Sequence, residues 1–451
     1  MRHVRPSRVL VLATGTAAWL LSGCQAIHDA QLNLPTTDSF SHGVRRFVAM
    51  ESARSSFDEV VTVIRERSGA TISKRQVEQL AVRAAEDFDA FYALRRHERL
   101  LTTDLLVIST DGKGIVVRPQ DLREATRKRA EQSVRTVETR LTPGQKRDRK
   151  RIAQVAAIYD VASWQRTAAD VLHTLKGDET DTPRPKPTRK RVFASVKQSH
   201  RRVIREAFDE AQRRDPDHRR RWVVLVDGDD KQLDAVKAEA KRLGVDITIV
   251  ADIVHVLEYV WKAARAIFGE TSPEAEKWVG DRFLALLTGR SGGDVARVIR
   301  WWARQRGSSL DAARRAAVEK ACGYLADRTR TRLMHDDEYL ADGLPISTGV
   351  IEGACRYLVK DRMDRTGARW SLTGADAVLR LRALRASGDF DDYWHFHLAR
   401  EKERNQHLAT PTPRSPTRYP HAAATCGSSS DRNADERARR KGAAPNPVPI
   451  P

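Results

Sequence analysis

The feature that most restricts the fold is a strand–helix–strand pattern between residues 222 and 250. The apolar run Trp222-Val223-Val224-Leu225-Val226 is followed by an amphipathic pattern, Leu233, Val236, Ala240 and Leu243, and then by a second β-rich run at 247–250. Two strands joined through a helix pack best in one sheet with the helix on its face. Further β-rich runs lie upstream at 104–110, 114–118 and 152–159. Three strands joined in sequence, followed by strand–helix–strand, predict a mixed α/β sheet with flanking helices.

Composition narrows the class. The chain has 451 residues, 40% hydrophobic and 31% charged, which excludes an integral membrane protein, a collagen-like fibre and a wholly disordered chain, and leaves room for two or three domains. The formal net charge is +20, and three segments carry all of it: 119–151 at +6, 184–221 at +9 and 402–451 at +5. Basic stretches on a neutral body suit a polyanion, and they also suit solvated loops and tails. The four cysteines, Cys24, Cys322, Cys355 and Cys426, show no metal-type spacing, so neither a zinc module nor a disulfide framework is expected.

Residues 1–30 form an atypical signal-like segment. A basic start, an apolar run at 9–21 and Leu21-Ser22-Gly23-Cys24 have the form of a lipoprotein signal with lipid attachment at Cys24. Set against the basic character of the rest, this segment reads as spurious, and the expectation is a cytoplasmic, nucleoid-associated protein with no membrane partner.

Residues 31–100 read as a helical region. One helix carries Phe57, Val60, Val61 and Ile64, has a Ser56/Glu59 capping box and closes at Gly69; the next has a Ser73/Gln76 box and buries Val77, Leu80, Ala81, Ala84 and Phe88. Lys74, Arg75, Gln79 and Arg83 then face outward. The pair fits either a helix-turn-helix, whose second helix reads a major groove, or a plain helical hairpin. Residues 253–340 read as helical, with Ser291 and Asp294 opening a helix that carries Val295, Val298, Ile299 and Trp302. A further helix runs from near Val350 toward Met363, and beyond about 402 the composition predicts a disordered basic tail.

Three acidic residues stand where sheet chemistry is usually placed. Asp111 and Asp227 each follow an apolar run and precede glycine, which predicts a sharp turn with a free carboxylate; Glu352 opens the helix after Pro345. Carboxylates converging from two strands and a helix suit two Mg²⁺ ions, which prefer oxygen ligands and can activate water or a 3′-hydroxyl against a phosphodiester. Mn²⁺ is the natural substitute. Asp229, Asp230 and Asp252 compete for the second position.

The stretch from Thr348-Gly349-Val350-Ile351-Glu352-Gly353-Ala354-Cys355-Arg356 through Asp364-Arg365-Thr366-Gly367-Ala368-Arg369-Trp370 closely resembles the C-terminal signature of the ISKra family of insertion-sequence transposases. Leu32-Asn33-Leu34-Pro35, Ser41-His42-Gly43-Val44-Arg45-Arg46, Lys74-Arg75-Gln76-Val77-Glu78 and Asp87-Phe88-Asp89-Ala90-Phe91-Tyr92 also look like that family, so the resemblance spans roughly residues 30–400. It implies an RNase H-like catalytic domain of the DDE type, related to mutator-like transposases. The core would run over 101–270 and 341–400, with a helical insertion at 271–340. By motif, the catalytic and metal-binding acids are Asp111, Asp227 and Glu352, separated by 116 and 125 residues. Asp252 and His255 resemble an auxiliary pair, although His255 equally suits an ordinary helix histidine.

The resemblance further implies DNA as partner, in the form of terminal inverted repeats and target, a homo-oligomer, and no small-molecule substrate. Arg356, Lys360, Arg362, Arg365 and Arg369 are candidate phosphate contacts, some of them alternatively salt-bridge partners of Asp361 and Asp364. Trp301 and Trp370 are candidates for base stacking, and Trp302 for the core. The family's cysteine-bearing zinc segment has no counterpart before residue 30, which leaves a truncated, non-catalytic DNA-binding remnant as the second reading and an exported lipoprotein as the third.

Overall fold

The β-branched runs form one five-stranded mixed sheet in the computed structural model, which describes residues 9–11, 18–20, 40–97, 102–132, 149–176, 183–270, 272–307, 310–365 and 367–409. Its strands are β1 (Leu105–Val116), β2 (Lys150–Val161), β3 (Thr188–Ser195), β4 (Trp222–Val226) and β5 (Ile247–Ala251), in the order β3-β2-β1-β4-β5. β2 is antiparallel to β1 and β3, whereas β1, β4 and β5 are parallel. A separate antiparallel hairpin pairs Val9–Val11 with Ala18–Leu20.

Alternation along the strands supplies both faces of the sheet. Leu105, Val107, Val223 and Leu225 point into one core, and Leu106, Ile108, Trp222, Val224 and Val226 into the other. Both sets are buried, so the runs read as nearly continuous apolar sequence. On the first face pack α9 (Ile253–Phe268), α10 (Pro273–Leu287), α11 (Gly292–Gln305), α12 (Ala312–Arg330) and α14 (Gly349–Ala354). On the second pack α7 (His200–Arg214), α8 (Asp230–Leu243), α15 (Leu372–Ser387) and α16 (Phe390–Ala409).

The N-terminal helices α1 (His42–Arg54), α2 (Phe57–Ser68) and α3 (Lys74–Ala84) share a small core of Val48, Val60, Ile64, Val77 and Leu80. Both expected capping boxes are present, and Gly69 closes α2 at φ +66°. α4 (Phe88–Leu94) leads on toward β1. Further helices among the described residues are α5 (Glu124–Gln132), α6 (Ala168–Lys176) and α13 (Asp336–Ala341), with single turns at Pro119–Asp121 and Asp361–Met363.

Three expectations need correction. The runs at 104–110 and 114–118 are one strand: β1 continues through Asp111-Gly112, pairing Asp111 with Val155 and Gly112 with Gln154. β3 lies inside the basic segment 184–221, where charge masked it. α16 extends past 402, into the stretch read as a tail. Cys24, the lipobox, Leu32-Asn33-Leu34-Pro35, Cys426 and residues 410–451 lie outside the described residues. Among the described residues no helix is long and apolar enough to cross a membrane.

Candidate active site

Asp111 sits where β1 parts from β4. Their parallel pairing ends at Ser109–Leu225, and Gln232 of α8 donates to the Thr110 carbonyl (2.8 Å) and hydroxyl (2.7 Å). A crevice at the carboxyl ends of parallel strands is the usual ligand position in such sheets. Gly112 is needed for proximity, since a Cβ there would meet Ile152 Cγ2 at 2.8 Å. The Asp111 carboxylate accepts from the Gly112 amide (2.5 Å) and from the Cys355 thiol (3.1 Å).

Asp227 follows β4 directly, and here the turn is as expected, with Gly228 at φ +92°. Its carboxylate accepts from the Asp229 amide (3.0 Å). Its carbonyl accepts from the Tyr324 hydroxyl of α12 (3.0 Å), and Tyr324 stacks on Tyr259 of α9 at 3.9 Å. The helical block is therefore bonded to the strand end that carries the second acid.

Glu352 is exposed in the first turn of α14. The helix start is fastened by Asp252, which is fully buried, caps α9 through the Val254 amide (3.0 Å), and accepts from the Thr348 amide (3.3 Å) and hydroxyl. One turn beyond Glu352 the helix widens into a π-helical stretch, Cys355–Lys360. Its carbonyls at Tyr357 and Leu358 accept from Arg382. Cys355 follows Glu352 by three residues, so the face bearing Glu352 is the one bonded to Asp111.

Electrostatics join the three acids. Burial pushes the Asp227 carboxyl above its usual range; the Asp229 amide and His255 oppose this, and the charges of Asp111 and Asp229 add to it. Partial desolvation against its neighbours likewise raises Glu352, helped by Asp252, Asp111 and Glu258 and opposed by His255. Asp111 thus acts on both partners, and His255, beside Glu258 at 3.6 Å, faces both.

None of the three acids has an ion-pair partner among the described residues. Several buried acids elsewhere do: Glu210 is held by Arg191 (3.0 Å) and Arg214 (2.9 Å), Asp160 by Arg189 (3.1 Å) and Arg220 (3.0 Å), and Glu401 by Arg45 (2.5 Å). Carboxylates without cationic partners whose charges act on one another are candidates for a functional site. Among the described residues no three His, Cys, Asp or Glu side chains stand grouped as a metal-ligand set. The crevice offers hard carboxylate oxygens that repel one another, a donor chemistry that suits a divalent cation such as Mg²⁺.

The other candidates divide. Asp229 caps α8 through the Gln232 amide, Asp230 pairs with Arg328 (3.2 Å), and the Asp252 carboxylate is consumed in caps, so neighbouring groups occupy all three competitors for the second position. Arg362 is 3% exposed, donates to the Ser52 carbonyl and lies between the Phe57 and Trp370 rings, so it is a core residue that cannot reach a phosphate. Trp370 is likewise buried, donating to the Met363 carbonyl. Arg365 pairs with Glu59 (2.7 Å), and Arg356 is exposed, 3.9 Å from Asp361. Lys360 and Arg369 are exposed, as are Arg75, Gln79 and Lys74, the last paired with Asp58 (2.6 Å); Arg83 is half-buried. Trp301 is 53% exposed, and Trp302 packs on the core.

Sequence reasoning missed Cys355, Tyr324, Gln232 and Thr348. Only Cys355 carried a signal, its helical spacing from Glu352. No family model matches the chain, and no curated protein matches it.

Proposed function

We propose that the chain is a DDE-type transposase with an RNase H-like core, which binds the inverted ends of an insertion sequence and cuts and joins DNA at the Asp111, Asp227 and Glu352 crevice. The observation that carries this is that Asp111 and Asp227 lie where the pairing of β1 and β4 ends, the Glu352 helix is bonded to Asp111 through Cys355, and none of the three acids has a cationic partner among the described residues. The strand order, with β2 alone antiparallel and three parallel strands beside it, supports the RNase H-like reading. The resemblance around Glu352 supplies the family.

Mg²⁺ held by these carboxylates would neutralise charge at the scissile phosphate and acidify a bound water. The chain's own groups do the rest. Cys355 orients Asp111, the Tyr324 hydroxyl and Asp229 amide fix Asp227, and Asp252 with Thr348 sets the start of the Glu352 helix. Exposed Arg356, Lys360 and Arg369 would meet phosphates and fix register, and Lys74, Arg75 and Gln79 a second stretch of duplex.

The test is strand cleavage, with Mg²⁺ or Mn²⁺, of a duplex taken from the inverted repeats that flank the gene. Asp111→Asn, Asp227→Asn and Glu352→Gln each abolish product while binding persists. Cleavage surviving Glu352→Gln defeats the assignment. Binding without product by the unaltered chain supports the non-catalytic remnant.

A further inference from the structure

A cavity of about 570 Å³ borders Glu352, walled by β2, α6, α9, α10 and the loop before α14. Its size falls within the roughly 300–1,000 Å³ of small-molecule and cofactor sites. The lining is mostly apolar and includes the rings of Trp164 and Phe283. Three cations lie along it: Arg166, which donates to the Trp164 (2.9 Å) and Leu344 (3.0 Å) carbonyls, and Arg184 and Lys186, both exposed. Arg184 stands near enough to Arg166 for its charge to be felt there, and neither Arg184 nor Lys186 has an ion-pair partner among the described residues.

Many arginines elsewhere are paired with carboxylates, whereas Arg184 and Lys186 are exposed beside this apolar, aromatic recess with no ion pair among the described residues, and Arg166 is bonded to carbonyls rather than to an acid. A planar heteroaromatic group with an attached phosphate matches that pattern, its ring among the apolar walls and its phosphate on the cations. We infer that the recess beside Glu352 is a nucleotide pocket, occupied by one nucleotide whose base has left the duplex stack next to the cutting site. The DNA source of that nucleotide rests on the proposed function. Unstacking costs a few kcal/mol, which such a recess offsets.

The experiment uses the full chain and two probes. In the first, 2-aminopurine replaces one base at a time across the terminal-repeat junction, without divalent metal. Emission rises several-fold at one position on binding, and Leu175→Trp, which fills the recess from a half-exposed site on α6, removes the rise at unchanged thermal stability. In the second, dAMP is titrated calorimetrically into the wild type and into Arg184→Ala/Lys186→Ala.

A rise lost in Leu175→Trp supports the pocket with a strand nucleotide as occupant. Saturable dAMP binding lost in the double variant, without any rise, supports the same pocket with a free nucleotide as ligand. A rise that persists undiminished in folded Leu175→Trp overturns the inference, as does absence of both signals. Loss of cleavage activity with dAMP binding intact would count against the transposase reading alone.

Discussion

Two Asp-Gly pairs look alike in the sequence and are used differently. Gly228 adopts φ +92°, a backbone state open to glycine, whereas Gly112 lies in an extended strand and is required because Ile152 leaves no room for a Cβ. Gly112→Ala should therefore destabilise by about 1–3 kcal/mol through overpacking. Adding Ile152→Ala, at a residue 47% exposed, should recover most of the loss, as read from denaturant midpoints. The acids give a second prediction at this scale. The folded-state pKa of Asp227 lies above its unfolded value, so the folded state holds that proton more tightly. This contribution is fully present below the unfolded pKa of about 4 and is lost as pH rises through the folded pKa. At pH 7–8 the charged carboxyl thus costs stability, and Asp227→Asn should melt above the wild type there, the gap closing toward pH 3. Equal melting temperatures at pH 8 would contradict it.

Among the elements, the helix bearing Glu352 depends most on remote groups. Asp252 holds its start through Thr348, Cys355 joins it to β1, and Arg382 satisfies carbonyls of its widened turn. Thr348→Val keeps the shape but removes a hydrogen bond to a buried carboxylate, worth about 1.5–3 kcal/mol. DNA cleavage should fall while DNA affinity holds, and Thr348→Ser should restore it; an unchanged cleavage rate would show that Asp252 does not position Glu352. What was legible followed local chemistry. β4, the capping boxes and the apolar stripes of α2 and α3 are written in contiguous residues. β3 was not, because Thr188-Arg189-Lys190-Arg191 has the composition of a solvated loop, and the burial of Arg191 depends on Glu206 and Glu210 of α7. The Asp111-Gly112 turn was misread because the neighbour that demands glycine, Ile152, lies forty residues away.

Over the whole molecule, the basic surplus is divided between two tasks. In 184–221, Arg191, Arg214 and Arg220 are buried against Glu210 and Asp160, so the segment with the largest surplus serves partly as internal bracing. The exposed Arg75 and Arg369 remain available to a polyanion. Arg75→Ala or Arg369→Ala should lower DNA affinity and reduce the salt slope by about 1 each, whereas Arg220→Ala should lower the melting temperature and leave the slope unchanged. A salt slope insensitive to both exposed arginines would place the duplex elsewhere.

The amino-terminal helices are also stapled to α16 and the turn before it. Arg45 of α1 grips Glu401 of α16 at 2.5 Å and 2.7 Å, Asp87 binds His397 (2.6 Å) and Arg404 (2.7 Å), and Tyr92 donates to Asp389 (2.8 Å). During synthesis the first helices leave the ribosome some three hundred residues before the groups that anchor them. Until then the contacts of Arg45 with Glu401 and of Asp87 with His397 and Arg404 are unmade. A nascent chain that detaches before α16 would therefore lack not only that helix but the groups that hold Arg45 of α1 and the start of α4, so docking of the amino-terminal helices waits on synthesis of α16.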